Sequence, residues 1–451
     1  MISVAENLAA KIVALKPGDL SALTMRKCED LLTDVVGLCV TARKEDYITS
    51  AMAGWDDDGP CTVIGHRRTL TAAGAAFVNG TAAHGEDFDD TFEGGPVHAG
   101  AVIVPAVLAA CERYHPDGRM ALSGIAIGAE VLCRLSLVVP KAIHKAGFHP
   151  TAIFGVMGAA AGVGAALGLN APQIVDALGI AGSMAGGIIE YLAEGAWTKR
   201  LHAGWAAQSG IHAALLARAG FVGPRTVFEG AHGLFHGFAR TPHGDYDALT
   251  SDFGVRWVTD TLAFKPYPCG TMAQPYIDCA RRLAARGIKS EDISEIVCEV
   301  AEGTVHRLWE PLAEKQRPRN GYAAKFAVPY LLAAGFVRGG VGLGAFTEDA
   351  IRDSQVLGLA AKVKFTIDPD NPYPNSFTGH LRATLTDGTK IEERQLHLRG
   401  GAQEPLTRQD VTEKFALNVE HGGWSRAQGD VALSLLGRLY RGKIDLSALR
   451  G

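Results

Sequence analysis

The sequence has eight cysteines but no C-x-x-C pair among them. A zinc ribbon or a thioredoxin-type redox centre would need that spacing. Cys28, Cys39, Cys61, Cys111, Cys133, Cys269, Cys279 and Cys298 mostly sit inside apolar runs. They read as reduced core residues of a cytoplasmic protein. Nucleotide and hydrolase signatures are missing too: there is no G-x-x-x-x-G-K-[ST], no G-x-G-x-x-G behind a strand and no G-x-S-x-G elbow. Charged residues make up only 20%, the net charge is −4, and no basic stripe occurs, so no nucleic-acid partner is expected. One stretch, Ala152 to Leu169 (AIFGVMGAAAGVGAALGL), carries no charge at all. Gly and Ala dominate it, it lacks a basic flank, and it barely reaches spanning length. It reads as a central helix packed on all sides, and no membrane partner is expected. At the start of the chain, Glu6 and Lys11 interrupt the apolar pattern of MISVAENLAAKIVAL, as in an amphipathic helix rather than a signal peptide.

What is present is ample apolar surface. Hydrophobic residues make up 47% of 451, which excludes a disordered chain and gives a prior of two or three domains. Glycine is abundant, 54 of 451 or about 12%, against roughly 7% on average. It follows no three-residue period, so collagen is excluded. Small residues at helix contacts explain the count without phosphate loops.

The first 240 residues read as helix after helix. Ser3 and Glu6 have the spacing of a capping box. Apolar faces recur at Leu8, Ile12, Val13 and Leu15, and at Leu31, Leu32, Val35, Val36 and Cys39. Further helices are expected over Thr69–His84, Val102–Tyr114 with Pro105 in its first turn, Leu122–Leu137, Ala152–Leu169, from Asn170 with Pro172 near N1, and over Ala203–Ala219. From about Phe264 the pattern mixes. Ile293–Val300 is strand-like, and Val363, Phe365 and Ile367 alternate with polar neighbours. Leu381–Leu385, Asp387-Gly388 and Thr389–His397 read as a hairpin, with helices at Gln274–Arg286 and Lys325–Ala334. The expected class is mainly α: a large all-helical domain over 1–264, a smaller α+β domain over 265–399, and a tail over 400–451 that packs back onto the first. Thr407 to Asp410 would cap a tail helix, and Ala427–Tyr440 also reads as helical.

Four polar clusters interrupt the apolar sequence. The first runs His84-Gly-Glu86-Asp87-Phe-Asp89-Asp90-Thr91, followed by Glu93 and His98. A catalytic group, a solvated loop and a metal site compete as readings here, and no H-x-x-x-H spacing supports the metal. The second, Gly147-Phe148-His149-Pro150-Thr151, directly precedes the uncharged helix. His149 at that helix's N-terminus would meet the positive end of the dipole, which lowers its pKa and suits a general base; a merely capping or buried histidine is the alternative. In the third, Trp197 to His202, Lys199 and His202 are three apart and share a helix face as an anion clamp or a plain helix start. The fourth, Phe264-Lys265-Pro266-Tyr267-Pro268-Cys269-Gly270, is stiffened by two prolines at the domain boundary. Lys265 would be a second anion-binding cation, and a rigid linker is the alternative. Acids, histidines and lysines without a cofactor motif point to proton transfer on an anionic substrate.

The segments AAFVNGTAAHGEDFDDT, VHAGAV, GFHPTAIFG, WTKRLHAGWAAQSG and FKPYPCG, in this order and spacing, resemble the MmgE/PrpD family. That family includes 2-methylcitrate dehydratase, cis-aconitate decarboxylase and an iminodisuccinate epimerase. The resemblance implies a helical domain with a smaller α+β lid, a homodimer, and no metal or organic cofactor. It also implies site positions at Asp87, Thr91, His98, His149, Lys199 and Lys265. One position departs from the decarboxylase branch, Gly270, where that branch has a histidine; Tyr330 is the nearest counterpart of the branch's tyrosine. The family's common His-Pro is His98-Ala99 here. The implied activity is a cofactor-independent, dehydratase-like lyase acting on a small anionic di- or tricarboxylic acid. Asp87, His98, His149 and Lys199 would be catalytic, and Thr91, His202 and Lys265 would bind substrate. An epimerase or isomerase, a cis-aconitate-type decarboxylase and a carboxylate-binding protein without chemistry are the alternatives.

Overall fold

Ser3 and Glu6 exchange hydrogen bonds between side chains and amides, at 3.2 and 2.6 Å. This capping box opens the first helix of a computed structural model that describes residues 2–451. The chain divides into two units, Met1–Leu262 with Thr407–Gly451, and Ala263–Leu406. The first unit begins with helices α1 (Val4–Ala14), α2 (Ala22–Ala42), α3 (Ala72–His84), α4 (Gly100–Tyr114), α5 (Gly118–Val138), α6 (Pro150–Ala166), α7 (Ala171–Met184) and α8 (Thr198–Arg218). Shorter helical turns join them. The class is mainly α, as the pattern implies. One correction applies to the first unit: it is not purely helical, because β1 (Asp58–Thr62) pairs antiparallel with β2 (Thr69–Leu70). Thr69 therefore lies on a strand, and Thr71 caps α3 through the Gly74 amide.

Glycine sets the spacing of the central helices. A Cβ on Gly158 of α6 would lie 2.6 Å from the Gly128 carbonyl oxygen of α5, and one on Gly128 would lie 2.9 Å from that of Gly158. Backbones packed this closely exclude any side chain between them. The same holds where α3 crosses α8, since a Cβ on Gly80 would sit 2.8 Å from Gly204 Cα. That crossing brings the C-terminal end of α3 to the N-terminal end of α8.

Pro105 is not in a first turn but inside α4. The helix starts earlier because the Asp90 carboxylate accepts hydrogen bonds from the Ala99 and Gly100 amides, at 3.0 and 2.8 Å. A cap supplied ten residues upstream leaves no local sequence signal. By length and apolarity α5 is the one helix among the described residues that could cross a membrane, and 94% of its apolar window is buried.

The second unit contains α9 (Gln274–Ala285), β3 (Ile293–Val300), α10 (Val328–Arg338), β4 (Val363–Ile367), β5 (Gly379–Leu385) and β6 (Lys390–Gln395). The sheet order is β4-β3-β5-β6, with β4 parallel to β3 and the other pairs antiparallel. Cys298 faces Leu381 in register, and Leu381 faces Glu393. Ile293, Ile296, Cys298, Val300, Leu381 and Ala383 are buried together with Ile277, Leu331 and Trp309. Gly388, at φ +86, makes the turn between β5 and β6. The chain then returns to the first unit as α11 (Arg408–His421) and α12 (Arg426–Leu436), and Thr407 caps α11 in a capping box with Asp410. Helix α11 packs on α2.

Candidate active site

The segment after α3 is bent so that its side chains turn inward. Asp87 has φ +56, in the left-handed region, which Asp tolerates better than most residues. Asp87, Asp89, Asp90 and Thr91 are all buried. A solvated loop would leave them exposed, so that reading fails. Asp87 pairs with Lys199 from the first turn of α8. His202 follows one turn later on the same buried face, as the three-residue spacing requires.

His149 is the N-cap residue of α6. Its amide donates to the Gly187 carbonyl at 2.9 Å, and the Ile189 amide donates back to Gly147 at 3.0 Å. This two-bond bridge lays segment 187–189 against the start of α6. It needs glycine, because a Cβ on Gly187 would lie 2.7 Å from Ala152 Cβ and 3.2 Å from the His202 ring.

Four imidazoles meet here. His149 Nδ1 and His202 Nδ1 are 3.1 Å apart. The ring centroids of His84 and His149 are 5.6 Å apart, and those of His84 and His98 are 4.8 Å apart. Tyr191 packs edge-on against both His149 and His202. His84 Nδ1 lies 2.7 Å from Asp89 Oδ2, and His98 Nδ1 lies 2.7 Å from the Asp90 carbonyl oxygen and 3.5 Å from Asp89 Oδ2. The His98 amide donates to Thr151 Oγ1 at 3.2 Å.

Burial, more than the helix dipole, sets the acidity. It holds His149 well below the usual imidazole range, helped by the charges of His84, His202 and Lys199. His202 is pushed down to about 4 by burial and then by His84 and Lys199. Both rings are neutral near pH 7. The Asp90 carboxyl is pushed up to about 8 by burial and by Asp89 and Asp34, against the two amides it caps.

Asp87, Thr91, His98, His149, Lys199 and His202 thus all fall in the first unit, and the last four converge with Asp87 around the imidazole cluster. Lys265 lies in the second unit. Tyr330 is fully buried in the core of the second unit, and its hydroxyl donates to the Ala345 carbonyl. Sequence reasoning missed His84, Asp89 and Tyr191 as members of the cluster. His84 and Asp89 were visible in the first polar cluster, but their pairing spans the end of α3 and has no helical period.

His84, Asp89 and His98 offer three ligand atoms within 4.8 Å, the one such group among the described residues. Hydrogen bonding accounts for both Nδ1 atoms: His98 Nδ1 faces a carbonyl oxygen and His84 Nδ1 a carboxylate. These bonds tie His84 to Asp89 and His98 to the Asp90 backbone. A cavity of about 770 Å³ opens beside it, lined by Gly187, Glu190, Tyr191, Thr198, His202 and Trp205 among others. His202 and Tyr191 therefore reach open space from the buried cluster.

Fold and site define a mainly α protein with a buried cluster of imidazoles, an ammonium and carboxylates. Comparison with known proteins narrows the class. Residues 6–246 match the MmgE/PrpD N-terminal domain and residues 267–433 the MmgE/PrpD C-terminal domain. The chain belongs to the MmgE/PrpD family. It is 30% identical over 439 residues to the cis-aconitate decarboxylase of Homo sapiens, covering 92% of this chain and 88% of that protein. It is 27% identical over 437 residues to the cis-aconitate decarboxylase-like protein oryM of Aspergillus oryzae, covering 92% and 90%. A 2-methylcitrate dehydratase-like protein, oryR, of the same fungus is 28% identical over 235 residues, 48% of this chain and 46% of that protein. The chain is an enzyme of the lyase class.

Proposed function

We propose that this enzyme is a cofactor-independent, dehydratase-type lyase that removes a proton α to a carboxylate of a small di- or tricarboxylic acid. The observation that carries the reading is the convergence of neutral, buried imidazoles on the Lys199–Asp87 pair. A neutral imidazole accepts the proton, and a buried ammonium stabilises the enolate-like charge that develops on the substrate carboxylate. His98 or His149 removes the proton, Thr91 adds a hydrogen bond, and His202 and Lys265 bind substrate carboxylates. The relatives' names, which include 2-methylcitrate and cis-aconitate, support a polycarboxylate substrate.

Decarboxylation of cis-aconitate is a second reading, favoured by the near full-length decarboxylase relatives. It also ends in proton delivery to carbon, so the same imidazoles serve it. Gly270 weighs against it, because the decarboxylase branch resembled by the sequence has a histidine there. A homodimer and a cytoplasmic location complete the proposal. The eight free, buried cysteines are compatible with a reducing compartment, and light scattering tests the dimer.

The deciding experiment is proton NMR of the purified protein in D₂O with 2-methylcitrate, citrate, cis-aconitate and iminodisuccinate in turn. Deuterium beside a carboxylate together with a new alkene is the expected result. Deuterium without an alkene would replace the dehydratase by an epimerase, and loss of a carboxylate from cis-aconitate would select the decarboxylase. Tight binding without exchange or product would leave a carboxylate-binding protein.

A further inference from the structure

The cluster divides into two unlike halves. Among the described residues, the rings of His149 and His202 have no carboxylate partner; their one ring hydrogen bond is to each other, Nδ1 to Nδ1 at 3.1 Å. One ring must donate and the other accept, so a single proton is shared between two neutral imidazoles. His84 and His98 instead converge on one carboxylate. Asp89 Oδ2 is 2.7 Å from His84 Nδ1 and 3.5 Å from His98 Nδ1, and the Asp89 side chain has no solvent exposure.

His98 has a second constraint. Its Nδ1 lies 2.7 Å from the Asp90 carbonyl oxygen. A carbonyl oxygen only accepts, so His98 Nδ1 carries the proton and Nε2 keeps its lone pair. His98 is also the ring of this half that is open to solvent, at 13% side-chain exposure against 0% for His84. His84 Nε2 is buried and makes no hydrogen bond. His84 is closed to any substrate and acts only through its neighbours.

Imidazolium forms most readily where a carboxylate faces the ring. We propose that Asp89 is a positioning residue that makes His98, rather than His149, the proton-accepting base, by facing the Nδ1–H of His98 while His84 occupies the same carboxylate oxygen from the other side. The assignment rests on the proton-abstraction reading above and deepens it. His98 Nε2 takes the α-proton, the resulting imidazolium keeps Nδ1–H on the Asp90 carbonyl and beside Asp89, and His149 stays neutral as a hydrogen-bonding partner of the substrate. The groups that bear on Asp89 are His84 from α3, Asp34 from α2, Asp90 on its own segment, and Lys414 of α11, which pairs with Asp34.

The test needs no substrate. The full-length protein is labelled with ¹⁵N-histidine, and long-range ¹H–¹⁵N spectra are followed from pH 4 to 9, with His98 assigned by its loss in His98→Asn. The expected tautomer of His98 is Nδ1–H. In Asp89→Asn its titration midpoint falls by about one unit or more, the usual scale for a carboxylate at 4–6 Å. In His84→Gln, which removes the competitor for Asp89, the midpoint rises. A merely structural role for these residues would move neither midpoint. An Nε2–H tautomer at His98, or a midpoint that does not rise in His84→Gln, overturns the proposal; the second variant decides alone should Asp89→Asn fail to fold. Wild-type exchange in D₂O with an unmoved His98 midpoint defeats this assignment only, whereas a shifted midpoint without exchange defeats the proposed reaction only.

Discussion

The Lys199–Asp87 pair lets stability and the proposed chemistry be tested apart. Both are buried and paired, so replacing Lys199 with Met leaves a carboxylate in the interior without its ammonium. Breaking a buried pair this way costs about 3–5 kcal/mol. Asp87→Asn added to Lys199→Met should restore most of the lost melting temperature, because Asn also tolerates the left-handed backbone at this position. Turnover should stay abolished in both, because the Lys199 ammonium that would stabilise the developing charge is gone; recovery of deuterium exchange in the double variant would show that Lys199 is structural. His202 makes a different residue-scale prediction. Its folded pKa, about 4, lies below the free imidazole value, so the native state binds fewer protons than the unfolded chain between about pH 4 and 6.5. Its contribution to stability is complete above that window and is lost as pH falls through it, on the order of 3 kcal/mol in total. His202→Gln should flatten the fall in melting temperature between pH 6.5 and 4.5. Equal slopes in the two proteins would remove His202 as the cause. Asp87, His98, His149, Lys199 and His202 stood out in the sequence because polar side chains interrupt apolar runs there. Their partners did not: Asp89, two residues beyond Asp87, is the carboxylate that His84 Nδ1 bonds, and only the turn at Asp87 decides which acid points where.

Elements were read most surely where a local signal starts them. Ser3 with Glu6 and Thr407 with Asp410 form the capping boxes seen in α1 and α11, Asn170 caps α7, and β3 spans Ile293–Val300 as its pattern implies. Helix α4 was misplaced because its cap comes from Asp90, outside its own sequence. The abundance of glycine was informative about contacts rather than about starts, and it leads to a reversal of the usual rule. Gly→Ala inside a helix ordinarily stabilises by about 0.5–1 kcal/mol. Gly237, in the short helix Leu234–Ala239, has open space around it and should follow that rule. A Cβ on Gly204 of α8 would stand 2.0 Å from the Phe77 carbonyl oxygen. Gly204→Ala must therefore push α3 away from α8, at about 1–3 kcal/mol, and carry His84 away from Lys199 and His202. Thermal melts should move in opposite directions for the two variants, and only Gly204→Ala should slow turnover. A stabilised, fully active Gly204→Ala would mean that the crossing relaxes without moving the site.

At the scale of the whole molecule, the chain closes on itself. It leaves the first unit at Leu262, builds the second, and returns at Thr407. Apolar alternation and the hairpin at Asp387-Gly388 made the second unit legible. The destination of the tail was a topological expectation, and no local pattern says where α11 docks. Lys414 supplies the physical answer. Its ammonium lies 2.7 Å from Asp34 Oδ1 on α2, donates to the Phe88 carbonyl oxygen at 2.7 Å, and sits 3.9 Å over the Phe88 ring. Burial pushes the Asp34 carboxyl up, and the Lys414 charge opposes that shift. Phe88 stands between Asp87 and Asp89, so the last part of the chain braces the segment that holds both site carboxylates. Lys414→Met removes the charge and keeps most of the apolar stem. It should cost about 3–5 kcal/mol, because Asp34 is left buried without its cation. Asp34→Asn in the same chain should recover much of that loss, because the uncompensated charge is gone. Turnover should not recover with it, since the hydrogen bond to the Phe88 carbonyl is still absent and Asp87 and Asp89 are no longer held in register with Lys199 and His84. Melting temperature and deuterium exchange measured on the two variants separate these roles. Parallel recovery of both would mean that α11 supplies stability alone and leaves the site's geometry to α3 and α8.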